Sequence, residues 1–234
     1  MAGSLHIVGP PASAPPATTL AVFDLDRTLV AGSSLARLAR ALAEAKVVRR
    51  KELAGHLLRE AFFAARGMGP AAIDRLRASL LQAATGLEMG PLVEIANRIG
   101  PAIAAEIYPG ARWLLDRHRA DGHEVVLLSS SPHQLVAAVA AAIHPGIIPI
   151  GTLLEVADGR LTGHMEGSFC HGWGKLVRLE ESLGWHDLTC ATAYADSATD
   201  LPLLRACGTP VAVNPDRVLR ATAASAGWPI LDLS

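Results

Sequence analysis

Leu20-Ala21-Val22-Phe23-Asp24-Leu25-Asp26-Arg27-Thr28 is the stretch on which the reading of this 234-residue chain turns. Four apolar residues that end abruptly in charge are what a strand buried on both faces looks like at its C-terminal end. Two later runs end in the same way. Glu124 to Leu128 leads into Ser129-Ser130-Ser131-Pro132, and Ala191 to Ala195 leads into Asp196-Ser197-Ala198-Thr199-Asp200. A helical pattern follows the first of these endings, over about His133 to Ile143, and another runs over about Lys175 to Leu183, ahead of Ala191. Trp113 to Arg119 is amphipathic, and Pro210 to Val213 reads as a short late strand. Ile148 to Val156 and Arg160 to Glu166 form a predicted hairpin across Asp158-Gly159, a favoured two-residue turn. Strands that alternate with helices predict an α/β fold with a mostly parallel sheet and helices on both faces.

Between the first strand and the rest, the periodicity is helical throughout. Leu35, Leu38, Ala39 and Leu42 share one face, and Ile73, Leu76, Leu80 and Leu81 share another. Gly67-Met68-Gly69-Pro70 and Glu88-Met89-Gly90-Pro91 punctuate it, each proline near a helix start. Residues 33–107 therefore read as an all-helical insertion into a core formed by residues 20–32 and 108–234. Residues 1–19 lack a basic start and are broken by Pro10, Pro11, Pro15 and Pro16, which predicts a flexible leader rather than a signal peptide.

Bulk properties narrow the function. Half of the residues are hydrophobic and 18% are charged, so the chain can bury a sizeable core. A formal net charge of -1 gives no field to attract nucleic acid or an anionic membrane. No apolar run reaches the roughly 18 residues of a membrane span; Leu135 to Ile150 is interrupted by His144, Pro145 and Gly146. Cys170, Cys190 and Cys207 fit neither a metal-ligand spacing nor a disulfide framework, as expected of reduced thiols in a cytoplasmic protein. The expected partner is a small phosphorylated metabolite, with no nucleic acid and no membrane; the oligomeric state is left open.

In an open parallel sheet, ligands bind beyond the carboxyl ends of the strands. The strand endings bring four carboxylates, a threonine and a serine run to one rim, and Lys175 opens a helix after Gly172-Trp173-Gly174. Carboxylates crowded together repel one another and call for a cation. Magnesium suits them, because it takes oxygen ligands and commonly shares them with a substrate phosphate. Beside such a metal an aspartate stays ionised and can attack phosphorus. A serine, the helix-start N–H groups and a lysine hold phosphate oxygens. A second carboxylate protonates the leaving oxygen and then takes a proton from water.

At these residues the chain resembles the haloacid dehalogenase superfamily. Asp24-Leu25-Asp26-Arg27-Thr28 resembles its DxDxT signature, Ser129 its second motif, Lys175 its third, and Asp196 with Asp200 its fourth. Within it the chain is most similar to subfamily IB, the phosphoserine-phosphatase-like hydrolases, through residues 154–163, residues 196–204 and Val213-Asn214-Pro215-Asp216. The resemblance runs from about residue 20 to the C-terminus. It implies a Rossmann-like core in which the insertion is a type-one cap. By it, Asp24 is the nucleophile and a metal ligand, and Asp26 is the general acid/base, giving the metal its main-chain carbonyl. Asp196 is a metal ligand, and Asp200 supports the metal's water shell. Thr28 braces the loop, and together with Ser129, Ser130 and Lys175 it completes the phosphate-binding set. The implied cofactor is Mg2+.

The implied reaction is hydrolysis of a small phosphate monoester through an aspartyl phosphate. Phosphotransfer to an alcohol is the neighbouring alternative, and a phospho-accepting receiver-like module is the alternative from another class. Dehalogenation is disfavoured, because enzymes of that kind lack the second carboxylate that Asp26 supplies. In phosphoserine phosphatases a glutamate shortly after DxDxT binds the substrate's amino group; Ser33 stands in its place here. Thr199 replaces the usual asparagine before the last aspartate. Both departures weaken phosphoserine as the substrate. Cap residues Arg59, Arg66, Arg75 and Arg77 are candidates for a substrate carboxylate, and Asp74 or Glu94 for a compensating charge.

Overall fold

The computed structural model describes residues 19–47, 78–184 and 187–233. Most of the leader, the punctuation at residues 67–70, Ile73, Leu76, Asp74 and the four cap arginines lie outside the described residues.

In chain order the elements are β1 (Leu20–Phe23), α1 (Ser34–Glu44), α2 (Met89–Ala105), α3 (Pro109–Ala120), β2 (Glu124–Pro132), α4 (His133–Ile143), β3 (Ile148–Ala157), β4 (Arg160–Glu166), α5 (Trp173–Leu183), β5 (Thr192–Ala195), α6 (Leu201–Ala206), β6 (Thr209–Val213), α7 (Arg217–Ala226) and β7 (Ile230–Leu231). Residues 78–84 are also helical. The strands form one seven-stranded sheet in the order β4-β3-β2-β1-β5-β6-β7. All neighbours are parallel except β3 and β4, which are antiparallel. The predicted α/β architecture is the observed one.

β1 is central, and that explains its unbroken apolar run. Each of its residues is buried from both sides, with Phe23 facing one layer and Val22 the other. On one face α1 to α4 bury Leu38, Ile95, Ile103, Leu115 and Leu135 against Phe23 and Leu127. On the other, α5 to α7 bury Leu179, Leu203 and Leu219 against Val22 and Val126. Within residues 33–107, α1 and α2 thus share a core with the sheet. α2 lies close on α4, because a Cβ at Gly100 would sit 2.8 Å from Ala138.

The hairpin forms as its turn predicts. Asp158 and Gly159 both take positive φ, 49° and 74°, as a type I′ turn requires. Its tip pairs with the chain entering α2. The Leu161 and Gly86 amides donate to the carbonyls of Leu87 and Leu161, and the Met89 amide donates to the Gly159 carbonyl. β2 runs longer than its apolar stretch, through the serines to Pro132, and α7 and β7 lack a periodic signal strong enough to read in advance. All three cysteines are unpaired. Among the described residues, no helix is long and apolar enough to cross a membrane.

Candidate active site

Strand register sets the rim. Phe23 pairs with Leu127 of β2 on one side and with Tyr194 of β5 on the other. Asp24 is therefore one residue past the paired level, and Ser129 and Asp196 are each two past it. Three adjacent strands release their polar residues at one height, and the Asp24 amide still donates to the Tyr194 carbonyl at 3.0 Å.

Asp24 is buried and held on both oxygens. Lys175 Nζ donates to Oδ1 at 2.6 Å, and Thr28 Oγ1 donates to Oδ2 at 3.1 Å. The same Nζ donates to Asp200 Oδ2 at 2.7 Å. Lys175 reaches inward because α5 starts tightly against the preceding chain. A Cβ at Gly174 would lie 1.8 Å from the Phe169 carbonyl oxygen, so only glycine fits there. Burial alone would push the Lys175 ammonium down, but Asp200 and Asp24 more than offset it and hold it above its ordinary range. Asp24 is raised by burial and by repulsion from Asp200, against the pull of Lys175.

Asp24, Asp196 and Asp200 each offer an oxygen within 4.8 Å of the others, and all three are buried. Burial, then repulsion from Asp24, pushes Asp196 up to about 8, although Arg27 Nε lies 2.7 Å from its Oδ2. Asp200 Oδ1 is buried with no hydrogen-bond partner. An orphaned carboxylate oxygen beside two more carboxylates is the environment that a hard divalent cation satisfies, so the residues fit Mg2+.

The other predicted residues are placed as follows. The Asp26 carboxylate turns toward α1, where Oδ1 accepts from the Ser34 amide at 2.7 Å. Burial and the nearby Asp24 push Asp26 up to about 6. Ser129 is buried, and its Oγ accepts from the Ser131 amide at 3.2 Å. Ser130 is half-buried, and its carbonyl accepts from Thr152 Oγ1 at 2.8 Å. The structure thus brings Asp24, Thr28, Lys175, Asp196 and Asp200 into direct or near contact. Asp26 stands beside them, and the serines lie one strand over. Ser33 is the N-cap of α1, with its Oγ accepting from the Ala36 amide.

Sequence reasoning missed several supports. Arg27, inside the first motif, takes φ 62° and turns its side chain onto Asp196. Asp216 accepts from Ser197 Oγ and from the Ala198 and Leu219 amides, tying the loop that bears Asp196 and Asp200 to the start of α7. Asn214 donates from Nδ2 to the Arg27 carbonyl at 2.9 Å and accepts the Leu233 amide. The Asn-Pro-Asp run was visible, and an aspartate before a helix is an N-cap signal. Its partners across the chain were not visible.

The haloacid dehalogenase-like hydrolase family profile matches residues 21–205. The chain belongs to that family. A phosphoserine phosphatase of Mycobacterium tuberculosis is 35% identical over 225 residues, covering 92% of this chain and 71% of that protein. A histidinol-phosphatase of Neisseria meningitidis serogroup C is 33% identical over 221 residues, covering 91% of this chain and 98% of that one. A solved structure of a Bordetella pertussis protein with unknown function superposes with a TM-score of 0.78 at 28% identity, covering 94% of this chain and all of that one. The expectations of a haloacid dehalogenase fold and of a phosphatase enzyme are met. In this haloacid dehalogenase-like hydrolase, the three-carboxylate cluster sits where the first and fourth motifs meet.

Proposed function

We propose that this hydrolase cleaves small phosphate monoesters with Mg2+ through a phosphorylated Asp24. One observation carries the reading: the buried Asp24 carboxylate is oriented by Lys175 and Thr28 at the centre of the carboxylate cluster. Asp24, Asp196 and Asp200 would hold the metal, with the Asp26 main-chain carbonyl. Bound there, Mg2+ shields charge on the phosphate and on the carboxylates.

The chain's own residues do the rest. Lys175, Ser129, Ser130 and the amides beyond β2 hold the phosphate oxygens, and Thr28 keeps Asp24 in line. The Asp24 carboxylate attacks phosphorus while the bond to the leaving oxygen breaks. That oxygen keeps the electron pair and takes a proton from Asp26. Asp26, now ionised, takes a proton from the water that attacks the aspartyl phosphate, and the products are inorganic phosphate and the free Asp24 carboxylate. The inserted segment 33–107 serves as the cap that reads the leaving group and keeps bulk water from the acyl phosphate. Its substrate is a small phosphorylated metabolite in the cytoplasm.

The test is chemical trapping during turnover. Borohydride reduction of the denatured enzyme should convert residue 24, and no other aspartate, to homoserine, as read by peptide mass spectrometry. Reduction at another aspartate, or at none while phosphate is still released, would exclude the mechanism.

A further inference from the structure

Beside the carboxylates lies a second buried polar cluster that the mechanism leaves without a task. Ser34 and Ser131, 97 positions apart, place their hydroxyl oxygens 2.7 Å from each other, and neither residue is exposed at all. Each is tied to one half of the chemistry. The Ser131 amide donates to Ser129 Oγ at 3.2 Å, and the Ser34 amide donates to Asp26 Oδ1 at 2.7 Å. A continuous path of polar contacts therefore runs from Ser129 through Ser131 and Ser34 to Asp26.

The path follows from how α1 begins. The first amides of a helix have no partner within the helix. Here Ser33 takes the Ala36 amide, and Asp26, from the loop before the helix, takes that of Ser34. The carboxylate acts as a second cap. The helix start fixes the carboxylate through the Ser34 amide, and the Ser34 hydroxyl bears on it as well. That helix start is held in turn by the hydroxyl pair, at the C-terminal end of β2.

We infer that Ser34 and Ser131 are positioning residues that lock the phosphate-binding end of β2 and the proton-donating carboxylate of Asp26 into one unit. The inference rests on the acid/base reading of Asp26. It specifies which substrates suffer when the lock is lost. An alkyl ester expels a poor leaving oxygen that needs the proton as the P–O bond breaks. A nitrophenyl ester expels an anion stable without one. Misplacing the acid therefore slows the alkyl ester more.

The experiment compares kcat/KM for ethyl phosphate and p-nitrophenyl phosphate, because kcat/KM covers every step through leaving-group release. The variants are Ser34→Ala, Ser131→Ala, the Ser34→Ala/Ser131→Ala double variant, Asp26→Asn and the triple variant. Ser34→Ala should lower the alkyl-to-aryl ratio roughly tenfold, within the range that small misplacements of a catalytic group produce. Removing the Ser34 hydroxyl orphans that of Ser131, whereas removing both does not, so the double variant separates positioning from fold. It should stay as impaired in the ratio as the single variants and melt closer to wild type. Adding it to Asp26→Asn should lower the ratio no further. An unchanged ratio in Ser34→Ala, a recovered ratio in the double variant, or an additive loss in the triple variant overturns the inference and leaves Asp26 as the acid. If Asp26→Asn itself leaves the ratio unchanged, the acid/base reading fails, and the inference fails with it.

Discussion

Lys175 donates to Asp24 from inside the fold, 2.6 Å from Nζ to Oδ1, and both residues are buried. The ammonium also spans to Asp200, so it both orients the Asp24 carboxylate and offsets negative charge that Arg27, paired with Asp196, would otherwise face alone. Removing one partner of a buried ionic cluster is strongly destabilising, on the order of 3–5 kcal/mol, because the remaining charges lose their compensation. Lys175→Met should therefore lower the melting temperature sharply in chelator and recover part of the loss in Mg2+, while kcat/KM stays at least about a hundredfold down. Equal melting temperatures for variant and wild type in chelator would show that the ammonium carries no such burden.

Asp24→Asn makes the opposite kind of change. It removes a buried carboxyl that is raised by burial and by repulsion from Asp200, and it keeps the shape. Turnover should fall by more than about a thousandfold, the scale on which an essential nucleophile acts, with a melting temperature near that of wild type. Chelating Mg2+ should silence the wild type in the same way. Activity within a few-fold of wild type in either case would sink the phosphoaspartate route.

Metal binding can be read without any substrate. The orphaned Asp200 Oδ1 and the raised Asp196 gain most from a cation. At one hundred times its Kd, Mg2+ should add about 2.7 kcal/mol to stability. Asp196→Asn and Asp200→Asn should each remove most of that gain. Asp216→Ala, which frees the loop bearing both, should weaken Mg2+ affinity as well as cost the α7 cap about 1 kcal/mol. Calorimetric titration of apo protein checks all three, and an undiminished Mg2+ affinity in Asp196→Asn would remove that residue from the ligand set.

Much of this arrangement was legible in the chain, for identifiable reasons. β1 could be read because a central strand buried on both faces admits no polar residue before its end, and the same logic located β5 and the apolar part of β2. The hairpin was legible because Asp158-Gly159 suits two consecutive positive φ values. The helix α7 was not, since its buried positions are mainly Leu219 and Ala223, too few to mark a face. At the site, the carboxylates and Lys175 announced themselves by residue type and order. Ser34, Ser131, Asn214 and Asp216 did not, because their roles depend on partners far away in sequence, and spacing along the chain says nothing of those.

His118, packed against the sheet, should contribute a loss of stability in acid. His118 Nε2 lies 2.7 Å from Tyr194 Oη, and its Nδ1 lies 2.7 Å from His123 Nδ1, so the two imidazoles share one hydrogen. Burial first, then His123 and Arg117, hold His118 below its ordinary value, with Asp121 pulling the other way. A histidine whose folded pKa is depressed binds its proton more readily when unfolded. Its contribution is complete above the ordinary value of about 6.5 and is lost as pH falls from there through the lower folded value. The raised Asp26 and Asp196 act the other way in both proteins, so the expected reading is a difference: wild-type urea midpoints should lose more, or gain less, than those of His118→Gln as pH falls across that window. A pH slope identical in the variant would assign the acid sensitivity elsewhere.

The leaving group is the remaining question, and Ser33 bears on it directly. Where phosphoserine phosphatases carry an ammonium-binding glutamate, this chain has a serine whose Oγ is already engaged in capping α1. A neutral, committed hydroxyl cannot replace a carboxylate facing a desolvated ammonium. Such a charged hydrogen bond is worth about 1.5–3 kcal/mol, or roughly one to two powers of ten in kcat/KM. Glu94, the other acidic candidate among the described residues, is exposed on α2 and so offers little of that strength. L-phosphoserine should therefore be no more than modestly better than phosphate esters of similar size that lack the amino group. Steady-state kcat/KM across a panel that includes phosphoserine, histidinol phosphate and amine-free esters decides the matter. A preference for phosphoserine above about a hundredfold, the upper end of that hydrogen bond's worth, would require a carboxylate from the cap in the place that Ser33 leaves empty of charge.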